Sequence, residues 1–363
     1  MSAATSSAAG PAPSALTSEL GAQESFGARW LRRAISIATM LLMALLLTAS
    51  APLWLPTLAL VDALSRGRVS SVRFVCFLWF FLLCETGGVL VAAVLWWTQP
   101  AGVRAFLRGN FELQTRWAAL LMNAAKRLFR LSFDVEGEDA LHVDKPVLVL
   151  VRHVSVGDTL IPAYFIARKT GRMLRYVLKH ELLWDPCLDI VGQRLPNTFV
   201  RRGTGDAREL EKLDQLSAGM GKNDGVLIFP EGTRFTPDKR EKVLSRLASQ
   251  DAPKLLEAAA DMQHVLPPRL GGALRLLEAV PDGDVVFCAH TGFEGISTLG
   301  DLWRGSLMDR TIRVRFWRVS RRDIPDDEDG RVAWLLDQWR RVDAVVEEGV
   351  AGDLAALSDG RDR

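Results

Sequence analysis

Two hydrophobic patterns divide the chain. Long uncharged runs fill much of the first hundred residues, and short β-branched runs alternating with helical periodicity fill the rest. From Ala34 to Val61 there is no charge, a stretch long enough to span a bilayer. Pro52 and Pro56 interrupt it, so the pattern predicts a kinked or re-entrant segment in place of one straight span. A second apolar stretch, Phe74 to Trp97, is interrupted only by Glu85 and ends in Trp96-Trp97, which fit an interfacial belt. Glu85 is read as a neutralised or pairing carboxyl facing the first segment. Ala49-Ser50-Ala51 resembles a signal-cleavage site, but the length of the apolar core favours a retained membrane anchor.

Beyond the anchor, residues 103–130 interleave Phe106, Leu107, Phe111, Trp117, Leu120 and Leu121 with Arg104, Arg108, Arg116 and Lys126 at helical spacing. Such a helix fits a membrane surface and equally the packing face of a first domain helix. Strands are predicted at 132–136, 146–151, 174–178, 197–201, 225–229, 284–290 and 311–318. Helices are predicted at 158–170, 206–220, 240–249, 253–260, 268–280 and 331–348. This alternation predicts an α/β fold, a mixed sheet flanked by helices on both faces, behind an N-terminal helical membrane anchor. The expected organisation is a disordered segment over 1–28, the anchor over 29–100, the enzyme domain over 101–350 and a frayed tail over 351–363.

Composition narrows the function classes. Hydrophobic residues make up 48% and mean hydropathy is +0.10, high for a soluble chain of 363 residues. A net charge of +2 argues against a general nucleic-acid binder. Cys76, Cys84, Cys187 and Cys288 have no metal-ligand spacing and read as free thiols of a reducing compartment. Arginines stand on both flanks of the anchor and in its connector, so the positive-inside rule assigns no topology. Arg168, Lys169, Arg172, Arg175 and Lys179 form a basic run, read either as a solvated face or as a positive approach for phosphates.

The candidate chemistry sits where two predicted strands end. Val147 to Val151 leads into Arg152-His153-Val154-Ser155-Val156-Gly157-Asp158, in which the His and the Asp can fold into contact. The Asp would then fix the imidazole tautomer while the His takes a proton. The same spacing recurs at His180 and Asp185, but His180 sits in a basic, helix-like stretch, whereas His153 stands at a strand's C-terminal end, where open α/β sheets place their sites. Val226-Leu227-Ile228 leads into Phe229-Pro230-Glu231-Gly232-Thr233-Arg234, which joins a carboxylate, a flexible Gly, a hydroxyl and an Arg fork suited to phosphate. Glu231 is expected to hold the arginines in place. One His and one Asp make no metal site.

Together these tips resemble the first and third motifs of the glycerolipid acyltransferases. Phe199-Val200-Arg201-Arg202 resembles the second motif, although Pro196 stands where the family has Gly, and Val265-Leu266-Pro267-Pro268-Arg269 resembles the fourth. The extension through Gly271-Gly272 is most similar to the lysocardiolipin-acyltransferase branch. The resemblance implies His153 and Asp158 as catalytic residues. It implies Phe199, Arg202, Glu231, Gly232, Thr233, Arg234 and Pro267 as substrate-binding residues. It also implies a two-helix anchor that holds the domain at the cytoplasmic leaflet. The reaction expected is transfer of a fatty acyl group from an acyl thioester to a lysophospholipid hydroxyl, most fittingly that of lysophosphatidic acid. Acyl-CoA or an acyl carrier protein would be the donor, with no metal and no cofactor. Other acceptors (lysocardiolipin, glycerol 3-phosphate, a glycolipid) and a silent lipid-binding protein of the same fold stand as alternatives.

Overall fold

The computed structural model describes residues 24–65, 70–97, 102–200, 207–250, 253–296 and 298–359. Its centre is a seven-stranded sheet in the order β1-β7-β6-β2-β5-β3-β4. The strands are β1 Ser132–Glu136, β2 Val147–Val151, β3 Met173–Lys179, β4 Thr198–Val200, β5 Asp224–Ile228, β6 Asp284–Thr291 and β7 Thr311–Val319. All neighbours run parallel except β6 and β7, so the sheet is mixed as the alternation predicted. Every residue of β2 is buried. Its alternate side chains explain why the run is wholly apolar. Val147, Val149 and Val151 join a core with Met122, Phe129 and Phe165, while Leu148 and Leu150 join another with Leu213, Leu276 and Trp339. A strand covered on both faces has no solvent side for a polar residue.

Among the described residues four helices precede the sheet, the first three being α1 Phe26–Ala49, α2 Ala51–Leu64 and α3 Ser71–Trp97. The uncharged run breaks at Ser50, with Pro52 in the first turn of α2, where a missing N–H is harmless. Trp54 Nε1 donates to Leu47 O at 2.8 Å and staples the joint. Asp62 then caps α3 by accepting from Ser71 N and Val72 N at 2.9 and 3.1 Å. Both α1 and α3 are long and apolar enough to cross a membrane, and only 22% and 17% of their most apolar windows are buried, so neither is an ordinary core helix.

Helix α4, Val103–Leu128, runs antiparallel to α3. Leu95 packs beside Gly109, Phe81 meets Trp117 at 6.3 Å, and Phe77 meets Phe129 at 5.4 Å. Glu85 therefore faces the domain and not the first apolar segment. It accepts from Trp117 Nε1 at 2.8 Å and from Cys187 N at 3.1 Å. Two basic residues that flank the apolar run also turn inward. Arg32 and Arg33 pair with Asp189 on α5, Pro186–Gly192, at 3.0 and 2.8 Å.

Some boundaries move. The helix expected over 158–170 opens with a 3-10 turn, Gly157–Thr159, and continues as a π-helical segment, Pro162–Arg168. Pro162 lacks the N–H that an α-helix would donate to residue 158. The last helix, expected over 331–348, spans Glu328–Asp359 and continues past Gly349. The first begins at Phe26, with Ser25 as its cap, inside the segment expected to be disordered, while residues 1–23 lie outside the described residues. The four cysteines are free thiols.

Candidate active site

Strands β2 and β5 are parallel neighbours, with Leu150 opposite Ile228, so their C-terminal tips lie side by side. The chain leaving β2 folds back through the Gly157–Thr159 turn and brings Asp158 under His153. His153 Nδ1 lies 3.2 and 3.3 Å from the two Asp158 carboxylate oxygens. Asp158 Oδ2 also accepts from Val154 N at 2.6 Å and Ser155 N at 2.7 Å. Asp158 is fully buried, which alone would raise its pKa. The His153 contact, the nearby His290 and the two N–H donors outweigh that and hold it below the usual carboxylate value. An ionised Asp158 only accepts, so Nδ1 carries the proton and Nε2 presents its lone pair. The Phe229 ring packs on the imidazole with centroids 4.4 Å apart, which fixes the ring plane.

Glu231 is a brace. Its oxygens accept from His153 N at 2.7 Å and from Leu266 N at 2.9 Å, tying the β2 tip to the 265–269 segment. It bonds backbone donors in place of the arginines it was expected to hold, because at 2% exposure it lies beneath the turn. Burial pushes its carboxyl up to about 8, against the pull of both N–H donors and of Arg152. Gly232 has φ +69°, the left-handed region that favours glycine. A Cβ there would sit 2.6 Å from Arg269 Nε, so the Arg269 side chain lies directly against this turn. Thr233 Oγ1 and Arg234 O both accept from Lys239 Nζ, at 3.2 and 2.9 Å. Phe235 N donates to His153 O at 2.7 Å, and Arg269 N to Pro230 O at 2.8 Å.

A buried layer supports the dyad. Arg152 Nη1 donates to His290 O and to Glu294, each at 2.6 Å, and Nη2 donates to His264 O at 2.9 Å. Glu294 is held below its usual value because the Arg152 guanidinium outweighs its burial. His290 Nε2 lies 3.0 Å from Arg152 O and 3.9 Å from Asp158 Oδ2. Burial depresses its pKa. Sequence reading missed Arg152, His290 and Glu294 as site residues. Only Arg152 carried a signal, a charge directly ahead of His153 at the end of a buried strand.

The other expected residues divide. Pro267 is buried in the brace segment, whose Leu266 O accepts from Trp339 Nε1 at 2.9 Å. Phe199 lies on β4, three strands from β2 at the sheet edge, with its ring against Gly192. Arg201 and Arg202 lie outside the described residues. Two members of the basic run are internal struts and offer no positive approach. Arg172 donates to Val143 O, Lys145 O, Lys222 O and Asp224 O. Arg175 donates to Leu216 O and Ala218 O and pairs with Asp224 at 2.9 Å. Asp185 caps α5 by accepting from Leu188 N at 2.9 Å, so the His180–Asp185 spacing serves a helix start. Trp317 stacks on Phe287 in the core at 5.2 Å. Among the described residues no cluster of three His, Cys, Asp or Glu side chains could hold a metal ion.

Residues 132–279 match the family model described as Acyltransferase. The matched segment runs from β1 to the helix after the brace and includes the dyad and the Glu231 turn. Among solved structures, the chain is similar to the 1-acyl-sn-glycerophosphate (LPA) acyltransferase PlsC from Thermotoga maritima. The TM-score is 0.50 at 16% identity, over 78% of this chain and 98% of that one. At that identity the likeness is one of fold.

Proposed function

We propose that this chain is a membrane-associated O-acyltransferase of phospholipid biosynthesis. It would move a fatty acyl group from an acyl thioester to the free hydroxyl of a lysophospholipid, with lysophosphatidic acid as the acceptor and phosphatidic acid as the product. The observation that carries the reading is His153 with Nδ1 against an ionised, backbone-pinned Asp158, at the tip of a strand inside the acyltransferase-family segment. His153 Nε2 takes the hydroxyl proton as the acceptor oxygen attacks the thioester carbonyl. The tetrahedral intermediate collapses, the carbon–sulfur bond breaks, and the imidazolium returns its proton to the departing thiolate. Acyl-CoA or an acyl carrier protein is the thioester source.

No acyl-enzyme is invoked. Ser155 Oγ is buried and accepts from Gly157 N at 3.2 Å, which makes it part of the turn. The oxyanion must be met by other donors, since the N–H groups of His153, Val154, Ser155 and Gly232 are already engaged. Outward apolar side chains such as Leu45, Leu90, Val94 and Trp97 would seat α1 and α3 in the bilayer, with the domain on its cytoplasmic side. A silent lipid-binding protein would have no use for the paired His153 and Asp158. Lysocardiolipin, glycerol 3-phosphate and glycolipid acceptors remain in the same chemistry.

The test is transfer of labelled acyl-CoA to lysophosphatidic acid by detergent-purified protein, beside His153→Ala and His180→Ala. Loss in the first variant with retention in the second supports the reading. Failure of folded wild type across a panel of lysolipids, with both CoA and carrier-protein donors, would overturn it.

A further inference from the structure

We infer that Arg269 reads the phosphate of the acceptor and sets the preference for phosphorylated over neutral glycerolipids. The inference deepens the acyl-transfer reading and rests on it. In a 1-acylglycerol 3-phosphate the reacting hydroxyl and the phosphate sit on neighbouring carbons. A group that grips the phosphate must therefore flank His153 closely.

Arg202 lies outside the described residues. Arg152 is consumed by two carbonyls and Glu294, and is buried. Arg269 meets the requirement from an unexpected direction. Its backbone N–H is tied to Pro230 O at 2.8 Å, so its position is set by the same turn that follows β5. Its Nε, Cδ and Cζ would lie 2.6, 2.7 and 2.9 Å from a Cβ at Gly232. The guanidinium thus packs on the bare α-carbon of a left-handed glycine, and only glycine leaves it that place. Arg269 is exposed, so this charge is open to a ligand.

The turn also couples the arginine to the base. Glu231 holds His153 N with one oxygen and Leu266 N with the other, and Leu266 lies three residues before Arg269. Base and phosphate reader are therefore braced by one carboxyl group. A planar fork on a fixed backbone suits a bidentate phosphate, which a lysine would contact only as a point charge.

The experiment compares wild type, Arg269→Ala and Arg269→Lys, with acyl-CoA as donor and either lysophosphatidic acid or the matching monoacylglycerol as acceptor. Arg269→Ala should raise KM for lysophosphatidic acid ~10–100-fold, about 1.4–2.8 kcal/mol at 1.4 kcal/mol per tenfold. Its kcat should change by less than about threefold, and monoacylglycerol turnover should be unaffected. Arg269→Lys should recover part of the loss. Equal losses on both acceptors, a fall in kcat alone, or no change would overturn the inference. Calorimetric titration of lysophosphatidic acid, below its micellar concentration, into folded wild type and Arg269→Ala gives a readout independent of turnover. If wild type transfers nothing, weaker binding by the variant would still support the phosphate role while the acyltransferase reading fails. Equal binding, or no binding by wild type, would end the Arg269 inference, while the acyltransferase reading stands or falls on the lysolipid panel.

Discussion

Replacing Asp158 by Asn separates orientation of the proposed base from support of the turn. Asp158 Oδ2 accepts two backbone N–H groups, from Val154 at 2.6 Å and Ser155 at 2.7 Å. Asn can satisfy both only by placing its carbonyl oxygen there, which leaves its NH2 facing His153 Nδ1. Nδ1 must then accept, the proton moves to Nε2, and the atom that should take the hydroxyl proton already carries one. The same Asp-to-Asn change in a Ser-His-Asp triad inverts the tautomer and lowers kcat about 10⁴-fold, and we expect a loss of that order. It corresponds to about 5.4 kcal/mol of transition-state stabilisation at 1.36 kcal/mol per tenfold. Structure should suffer less. Two charge-assisted bonds become neutral ones, at about 1 kcal/mol each, within a typical stability of about 5–15 kcal/mol. Initial rates of labelled acyl transfer, beside circular dichroism and gel filtration of the same samples, measure both effects. Asp158→Ala is the control. It strands both N–H groups but leaves the imidazole free to choose its tautomer. If Asp158 serves only the fold, Ala will be the more damaging change and Asn mild. Asn retaining more than about a tenth of wild-type activity would refute the tautomer argument.

Glu231→Gln should destabilise the fold by about 1–3 kcal/mol, because one of the two bonded N–H groups would face an amide NH2, and chemical denaturation measures it. Since Glu231 is pushed up to about 8, the native chain holds more protons than the unfolded one between roughly the ordinary carboxylate value and pH 8. Its contribution therefore falls as pH rises through that window, and Gln should remove this part of the slope in denaturation curves. Asp158 has the opposite sign. Its depressed pKa stabilises the fold above the ordinary carboxylate value, and that contribution is lost as pH falls toward the folded value, so Asp158→Asn should flatten the acid limb. Arg152→Met should cost about 3–5 kcal/mol by stranding Glu294 and two carbonyls, and a thermal melt should show the Arg152→Met/Glu294→Met pair recovering part of it. Asp189→Ala, which unpairs Arg33 and leaves Arg32 only Glu24 and Leu183 O, should cost about 1–3 kcal/mol and speed proteolytic release of α1.

The sheet was legible in the sequence because its central strand is buried on both faces and admits nothing but apolar residues, and a run such as Val147 to Val151 has few other readings. The His153–Asp158 dyad was legible because both partners lie in one turn at a strand's end, five residues apart. Local spacing decides local contact. The break near Pro52 was legible for the same reason.

Tertiary structure alone decided what each charge is for. Arg172, Arg175 and Arg269 are the same residue type in a chain rich in arginine. Two are threaded between backbone carbonyls as struts, and the third packs on a glycine at the tip of β5. Glu231 was read as a clamp for arginines and is a bridge between backbone segments, because its partners lie 78 and 35 residues away in the chain. Arg32 and Arg33 looked like membrane-flanking charges until the fold brought Asp189 to them across more than 150 residues. Hydrophobic periodicity records which face a residue turns inward, and it carries no record of which distant donor or acceptor arrives there. Long-range pairing is settled only when the strands take their order. The sequence by itself therefore determined the sheet, the paired apolar helices and the His153–Asp158 turn, while the fold assigned the braces, the struts and the arginine that rests on Gly232.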